Sequence, residues 1–436
     1  MNHDEIDDLY SDLREKLATY LLDDGKIAVV KAPPGSGKTH TLIEVLSTLI
    51  ANGKRVAVAA QTNSQADDIC ARFNHDHPDV PIARFASKEY RPIADFPGAV
   101  AVVSAAADLP DNPGVVVGTT AKWSLTDLPR GPFDLLAVDE AWQMAWADFM
   151  QCATISGRFL LIGDPGQIPP VVTVDVRRWE TSPRAPHEAT PNIVLVDPTL
   201  ESFRFEGSLP ACRRLPHESV AFVKPFYDFD FVPYAEPSAA GLDLPPGHLL
   251  NALSDGRPVL VTLPTLGSGP PLEVDHDLAQ AIADLVEDLL TSGASVRFHG
   301  APHALEPAHI GITSSHRVMN AAIATALGSR SQSVRVDTPE RWQGLEKPVM
   351  IAVHPMSGVV SPSAFDLETG RLCVMTSRHQ AALIVVSRDH VGTTLANYIP
   401  AAEQAPGRPD IVGRGHDAHL KFWDQLQMEG RVRSLI

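Results

Sequence analysis

Short apolar runs alternate along this chain with longer stretches whose apolar residues recur at helical spacing. Residues 27–30, 56–59, 115–117 and 133–138 read as buried parallel strands of one sheet. Residues 258–261, 309–312, 349–352 and 383–386 supply a second sheet. Between them, Leu42, Ile43, Val45, Leu46, Leu49 and Ile50 fall on one helical face, as do the apolar residues of 275–290. Strands alternating with helices predict an α/β fold, each half a doubly wound, mainly parallel sheet. We expect an N-terminal segment at 1–25, a first lobe at 26–200, a second at 201–400 and a tail at 401–436. The tail has helical spacing at 419–426 after Pro- and Gly-rich spacers, and is expected to pack on the second lobe. Segments 75–113 and 171–208 are Pro-rich and read as irregular surface insertions.

The first strand leads into Ala32-Pro33-Pro34-Gly35-Ser36-Gly37-Lys38-Thr39 and then a helix. Strand, glycine-rich turn and helix make a phosphate loop, in which backbone N–H groups and the helix N-terminus face an anion. Pro34, Gly35, Ser36 and Gly37 would cradle the phosphates of an NTP, Lys38 would reach its β- and γ-phosphates, and Thr39 would bind Mg²⁺. Ala32 stands where the strict pattern has glycine. The run at 133–138 ends in Asp139-Glu140, at the carboxyl end of a strand, where open parallel sheets bind ligands. Asp139 is the second candidate Mg²⁺ ligand and Glu140 the candidate base for an attacking water.

Five further segments make the chain resemble superfamily 1 helicases. Within them it is similar to the branch that contains the nonsense-mediated-decay RNA helicase and its DNA-acting relatives. Asp139-Glu140-Ala141-Trp142-Gln143 fits that branch's DEAxQ box, and Gly163-Asp164-Pro165-Gly166-Gln167 its glutamine-bearing box. Residues 60–67, 334–351 and 371–378 resemble its nucleic-acid segment, its QGxE segment and its closing arginine segment. The resemblance covers roughly residues 26–390. It implies two RecA-like lobes with an NTP cleft between them, and ATP as substrate with Mg²⁺. It further implies that Gln167 senses the γ-phosphate, that Arg213 and Arg378 are arginine fingers, and that Gly344 lies at the nucleotide. Thr62, Asn63, Thr120 and Thr313 would bind backbone phosphates of single-stranded DNA or RNA, Glu346 a ribose, with Gln343 beside it. The branch implies 5′-to-3′ movement.

Departures from that pattern also carry information. No glutamine precedes Gln61, so the usual adenine-reading glutamine is missing, and Cys212 replaces the aromatic residue that often precedes the finger arginine. Both changes weaken the hold on the base, so other NTPs are expected as substrates beside ATP. About 30 residues precede the phosphate loop, too few for the accessory barrel of larger relatives. A different reading therefore stands beside the motor: a helicase-like NTPase switch within a nucleic-acid-processing or defence complex, without strand separation. A small-molecule kinase would leave the QGxE segment and the second-lobe arginines unexplained.

The formal net charge of −17 over 436 residues argues against a simple DNA-coating protein but not against a motor, whose track is a local groove. Residues 1–25 hold eight Asp/Glu against two Lys/Arg, which reads as a solvated acidic helix face. This segment and the tail are the places where a protein partner would dock. Four scattered cysteines form no CxxC pair, and no signal peptide or membrane-spanning run is seen, so a cytoplasmic protein is expected.

Overall fold

The computed structural model describes residues 1–91, 100–128, 131–179, 181–265, 274–298, 300–359, 361–400 and 410–435. The chain divides into two compact units. One comprises Met1–Pro165 and Pro169–Pro210, the other Gly166–Ile168 and Ala211–Ile436.

The first unit is built on eight parallel strands: β1 (Ile27–Lys31), β2 (Arg55–Ala60), β3 (Ile82–Phe85), β4 (Val100–Val103), β5 (Gly114–Thr119), β6 (Leu135–Val138), β7 (Phe159–Gly163) and β8 (Arg204–Ser208). Their order across the sheet is β4-β3-β5-β2-β6-β7-β1-β8. Val56 through Ala60 are all buried, so both faces of the central strand are covered, as continuous apolar runs require. One face packs Ala57, Val116, Leu136 and Leu161 against Trp123 and Phe149. Helix α1 (His3–Leu22) opens with an Asn2–Glu5 capping box and buries Ile6, Tyr10, Leu17 and Leu21, leaving Asp4, Asp7, Asp8 and Asp12 exposed. Helix α2 (Lys38–Ala51) buries the apolar face read from the sequence, and α3 (Asn63–Asp76) follows β2.

Segment 75–113, expected to be irregular, instead contributes β3 and the edge strand β4. Runs of four residues are too short to show a period. Residues 92–99 of that segment lie outside the described residues. Segment 171–208 likewise contains the helix Thr190–Val196 and β8.

The second unit has six parallel strands: β9 (Val259–Leu263), β10 (Ile310–Thr313), β11 (Arg335–Asp337), β12 (Lys347–Val353), β13 (His379–Arg388) and β14 (Val432–Ser434). They lie in the order β11-β10-β12-β13-β9-β14. On one face, Val259, Ile312, Ile351 and Ile384 pack with helix α4 (His276–Thr291). On the other, Leu260, Met350, Leu383 and Val385 share a core with Trp342 and with Phe422, Trp423 and Leu426 of helix α5 (Ile411–Met428). The C-terminal helix is therefore longer than its sequence signal, and β14 beyond it pairs with β9. The spacer at 401–409 lies outside the described residues. Each unit is an α/β lobe with a parallel sheet covered on both faces.

Candidate functional site

In the first unit, β1 ends at Lys31 and α2 begins at Lys38, and the turn between them is a left-handed cradle. Gly35 has φ 61° and Gly37, at the N-cap of α2, φ 77°. A Cβ on Gly37 would meet nothing within 4 Å, so the backbone angle alone calls for glycine there. Three hydrogen bonds brace the turn. Ala32 N–H donates to the Gly163 carbonyl at 2.8 Å, Ser36 N–H to the Pro33 carbonyl at 3.2 Å, and the Tyr10 hydroxyl to the Ser36 carbonyl at 2.7 Å. The Ser36 hydroxyl is buried and has no partner among the described residues.

Beside the cradle stands the acidic pair. Asp139 N–H donates to the Ala59 carbonyl at 3.1 Å, which ties the end of β6 to β2. Glu140 adopts φ 53°, a left-handed conformation that costs a non-glycine residue on the order of 1–2 kcal/mol. This turn aims both carboxylates back at the phosphate loop. The Lys38 ammonium lies 3.6 Å from Asp139 Oδ1 and forms a closer ion pair with Glu140. Burial disfavours the lysine's charge, yet Glu140, Asp139 and Asp164 together hold its pKa above the ordinary value. Burial pushes Asp139 upward, so its ionised form depends on a cation beside it. A hydroxyl from Thr39 and a carboxylate from Asp139 are hard oxygen donors, a set that fits Mg²⁺.

Strand β7 ends directly behind this turn. A Cβ on Gly163 would lie 2.8 Å from Ala141 N, so only glycine lets the two segments meet. Three residues later the chain belongs to the second unit. There a Cβ on Gly370 would lie 2.5 Å from the Gln167 carbonyl, and Ile168 joins the core containing Leu215 and Leu372.

The nucleic-acid candidates of the first unit sit at strand ends. Thr62 caps α3 in a capping box with Gln65, and the Thr120 hydroxyl donates to the Ala60 carbonyl at 3.3 Å. Asn63 is exposed, but its side-chain oxygen accepts from Arg84 Nη2 at 2.8 Å. Arg84 is fully buried and also pairs with Asp67 at 2.8 Å.

The second unit carries the remaining candidates. Arg213 is exposed, its guanidinium 3.8 Å from the centroid of the Tyr234 ring, whereas Arg378 is buried. Gly344 takes φ 76° in the turn between Gln343 and Glu346. The Gln343 amide nitrogen is buried without a partner among the described residues. Glu346 accepts from Arg214 and, at 2.8 Å, from Gln380 Nε2. Thr313 is buried at the end of β10, its hydroxyl without a partner among the described residues. The geometry thus joins Lys38, Asp139 and Glu140 within one unit and places Gln167, Arg213, Thr313, Gln343, Gly344, Glu346 and Arg378 in the other.

Sequence reasoning missed Tyr10, Arg84 and Arg214. Tyr10 had a signal: it shares the buried face of Ile6 and Leu17 on a helix read mainly for its acids.

Residues 10–179 match the AAA domain family. The chain is 28% identical over 156 residues to the DNA replication ATP-dependent helicase/nuclease DNA2 of Saccharomyces cerevisiae, covering 35% of this chain and 10% of that protein. It is 25% identical over 158 residues to the helicase/nuclease JHS1 of Arabidopsis thaliana, covering 33% of this chain and 11% of the relative. The matched segments thus span about a tenth of the length of these relatives. The Arterivirus nonstructural protein 10 helicase aligns over 85% of this chain and 61% of its own, at 18% identity and a TM-score of 0.44. The sequence matches support the superfamily 1 helicase resemblance carried by the motifs.

Among the described residues, no helix is long and apolar enough to cross a membrane. All four cysteines are free and buried, and burial pushes the Cys70 and Cys152 thiols up to about 12, which leaves them unreactive.

Proposed function

We propose that this chain is an NTP-driven superfamily 1 helicase or translocase on single-stranded nucleic acid, of the decay-helicase branch, moving 5′-to-3′ in the cytoplasm. The observation that carries the reading is the Lys38 ammonium held against Asp139 and Glu140 behind a left-handed Gly35/Gly37 cradle. Three charges converge where a strand end and a helix N-terminus meet, the arrangement that phosphoryl transfer to water needs.

In that reading the loop amides and Lys38 bind the β- and γ-phosphates, and Thr39 and Asp139 hold Mg²⁺, which would neutralise phosphate charge. Glu140 orients the attacking water and takes its proton. Gln167 reports the state of the γ-phosphate to the second unit, and Arg213 and Arg378 supply the positive charge that favours the transition state. Thr62, Asn63, Thr120, Thr313, Gln343 and Glu346 hold the strand through its backbone, without reading sequence.

The test is NTP hydrolysis with and without single-stranded DNA and RNA, using Lys38→Ala as the blank. The motor predicts at least about tenfold stimulation by one polymer. Turnover indifferent to both would replace it with the partner-controlled switch.

A further inference from the structure

Cys212 is fully buried in the core that holds Leu215 and Phe231, so the position before Arg213 offers no aromatic face. A ring reaches Arg213 from elsewhere in the second unit. The short strands Ala211–Cys212 and Val232–Pro233 pair in parallel, and the next residue, Tyr234, donates its N–H to the Cys212 carbonyl at 2.9 Å. One residue further, the Ala235 carbonyl accepts from His217 Nδ1 at 3.0 Å. The backbone on both sides of Tyr234 is thereby fixed, and Phe231 roots its strand in the core. The Arg213 guanidinium lies over the half-buried ring, 3.8 Å from its centroid.

The neighbouring arginine is differently employed. Arg214 pairs with Glu346, and its Nη1 donates to the Ser377 carbonyl at 3.2 Å. Only 12% of its side chain is exposed, whereas Arg213 is an exposed residue. Of the two, Arg213 is the one whose charge an incoming phosphate can meet.

An exposed arginine samples many rotamers, and a guanidinium that must meet one transition-state geometry gives up that freedom when it does so. A support that orders it beforehand takes this entropy cost out of the chemical step. A carboxylate in that place would also cancel the charge. A tyrosine ring attracts the cation through its quadrupole and leaves the charge in place.

We infer that Tyr234 is a positioning residue for Arg213. Its ring, supplied from a paired strand, orders the guanidinium for its work on the charge of the transferred phosphoryl group. The inference rests on the arginine-finger reading proposed above.

The test is ATP hydrolysis by the whole chain, with kcat and KM determined for Tyr234→Leu, Tyr234→Phe, Arg213→Ala and the variant carrying both Tyr234→Leu and Arg213→Ala. Tyr234→Leu should lower kcat about two- to fivefold, the worth of one exposed cation–π contact, and leave KM for ATP within about twofold. Tyr234→Phe keeps the ring and should restore the wild-type kcat. In the Arg213→Ala background, Tyr234→Leu should cost nothing more, because the group it positions is gone. A tyrosine that only supports the fold would lower the melting temperature and slow both backgrounds alike, so additive losses overturn the inference. So does a rise in KM alone, which would place the ring at the nucleotide base. Slow turnover by Arg213→Ala beside wild-type turnover by Tyr234→Leu overturns the inference and leaves the finger standing. Wild-type turnover by Arg213→Ala overturns the arginine-finger reading, and this inference with it.

Discussion

Glu140 combines three properties that a catalytic base requires: a half-buried carboxylate, a fixed aim and a positive partner. Its left-handed backbone keeps the carboxylate pointed at Lys38. Glutamine keeps the shape and removes the basicity, so Glu140→Gln should bind NTP normally and lose at least about a hundredfold in turnover. Normal steady-state hydrolysis by that variant would remove Glu140 from the mechanism. Tyr10 acts one step further out, through its 2.7 Å bond to the Ser36 carbonyl. Tyr10→Phe removes the hydroxyl that makes that bond, at about 1 kcal/mol. KM for NTP should rise about fivefold with kcat nearly unchanged, and a fall in kcat alone would contradict a role in shaping the cradle. Tyr10 escaped sequence reading because its hydroxyl reaches a residue 26 positions away, and an apolar face does not reveal which of its members also makes a polar contact.

Among the elements, the strands most legible in sequence are those buried on both faces, because β1, β2, β6, β9 and β12 leave unbroken apolar runs. Edge strands were illegible for the converse reason. β4 is partly exposed, and β11 and β14 are three residues each. The phosphate-loop and acidic motifs were legible because their chemistry fixes residue types at fixed spacing. What spacing could not show is that Gly163 belongs to the same device. Gly163→Ala would drive a methyl to 2.8 Å from Ala141 N and 3.0 Å from the Trp142 ring, forcing the Glu140 turn to shift. We expect kcat to fall by about tenfold or more while NTP still binds, with a thermal melt checking that the sheet survives. An unchanged kcat would mean that the turn tolerates the displacement.

For the molecule as a whole, acid sensitivity should reside in the second unit. His379 and His419 are buried, and burial lowers both from 6.5 to about 3, with Arg214 adding to the effect at His379 and His416 at His419. His354 is likewise held well below its ordinary value by burial, then by His419 and His390. Below about pH 6.5 the unfolded chain takes up protons that the folded unit refuses, so stability falls as pH falls. The loss runs from about 6.5 down to about 3, and by pH 5 each of His379 and His419 accounts for on the order of 2 kcal/mol. Calorimetry between pH 7 and 5 should show the second unit's transition moving down in temperature, with a shallower slope in His419→Gln. A transition that stays put over that range would contradict neutral burial.

Arg84 has an effect that reaches beyond the fold. Its guanidinium has hydrogens to give and no lone pair to receive them, so Asn63 can meet it only through oxygen. The amide is thereby turned with its nitrogen outward. What Asn63 offers at the exposed start of α3 is a pair of N–H bonds, while one lone pair of its oxygen is already committed to Arg84. A phosphate oxygen finds two hydrogens there, whereas a divalent cation or an amine must compete with the Arg84 guanidinium for that side chain's oxygen. A residue buried in the sheet has thus set the polarity of the surface above it.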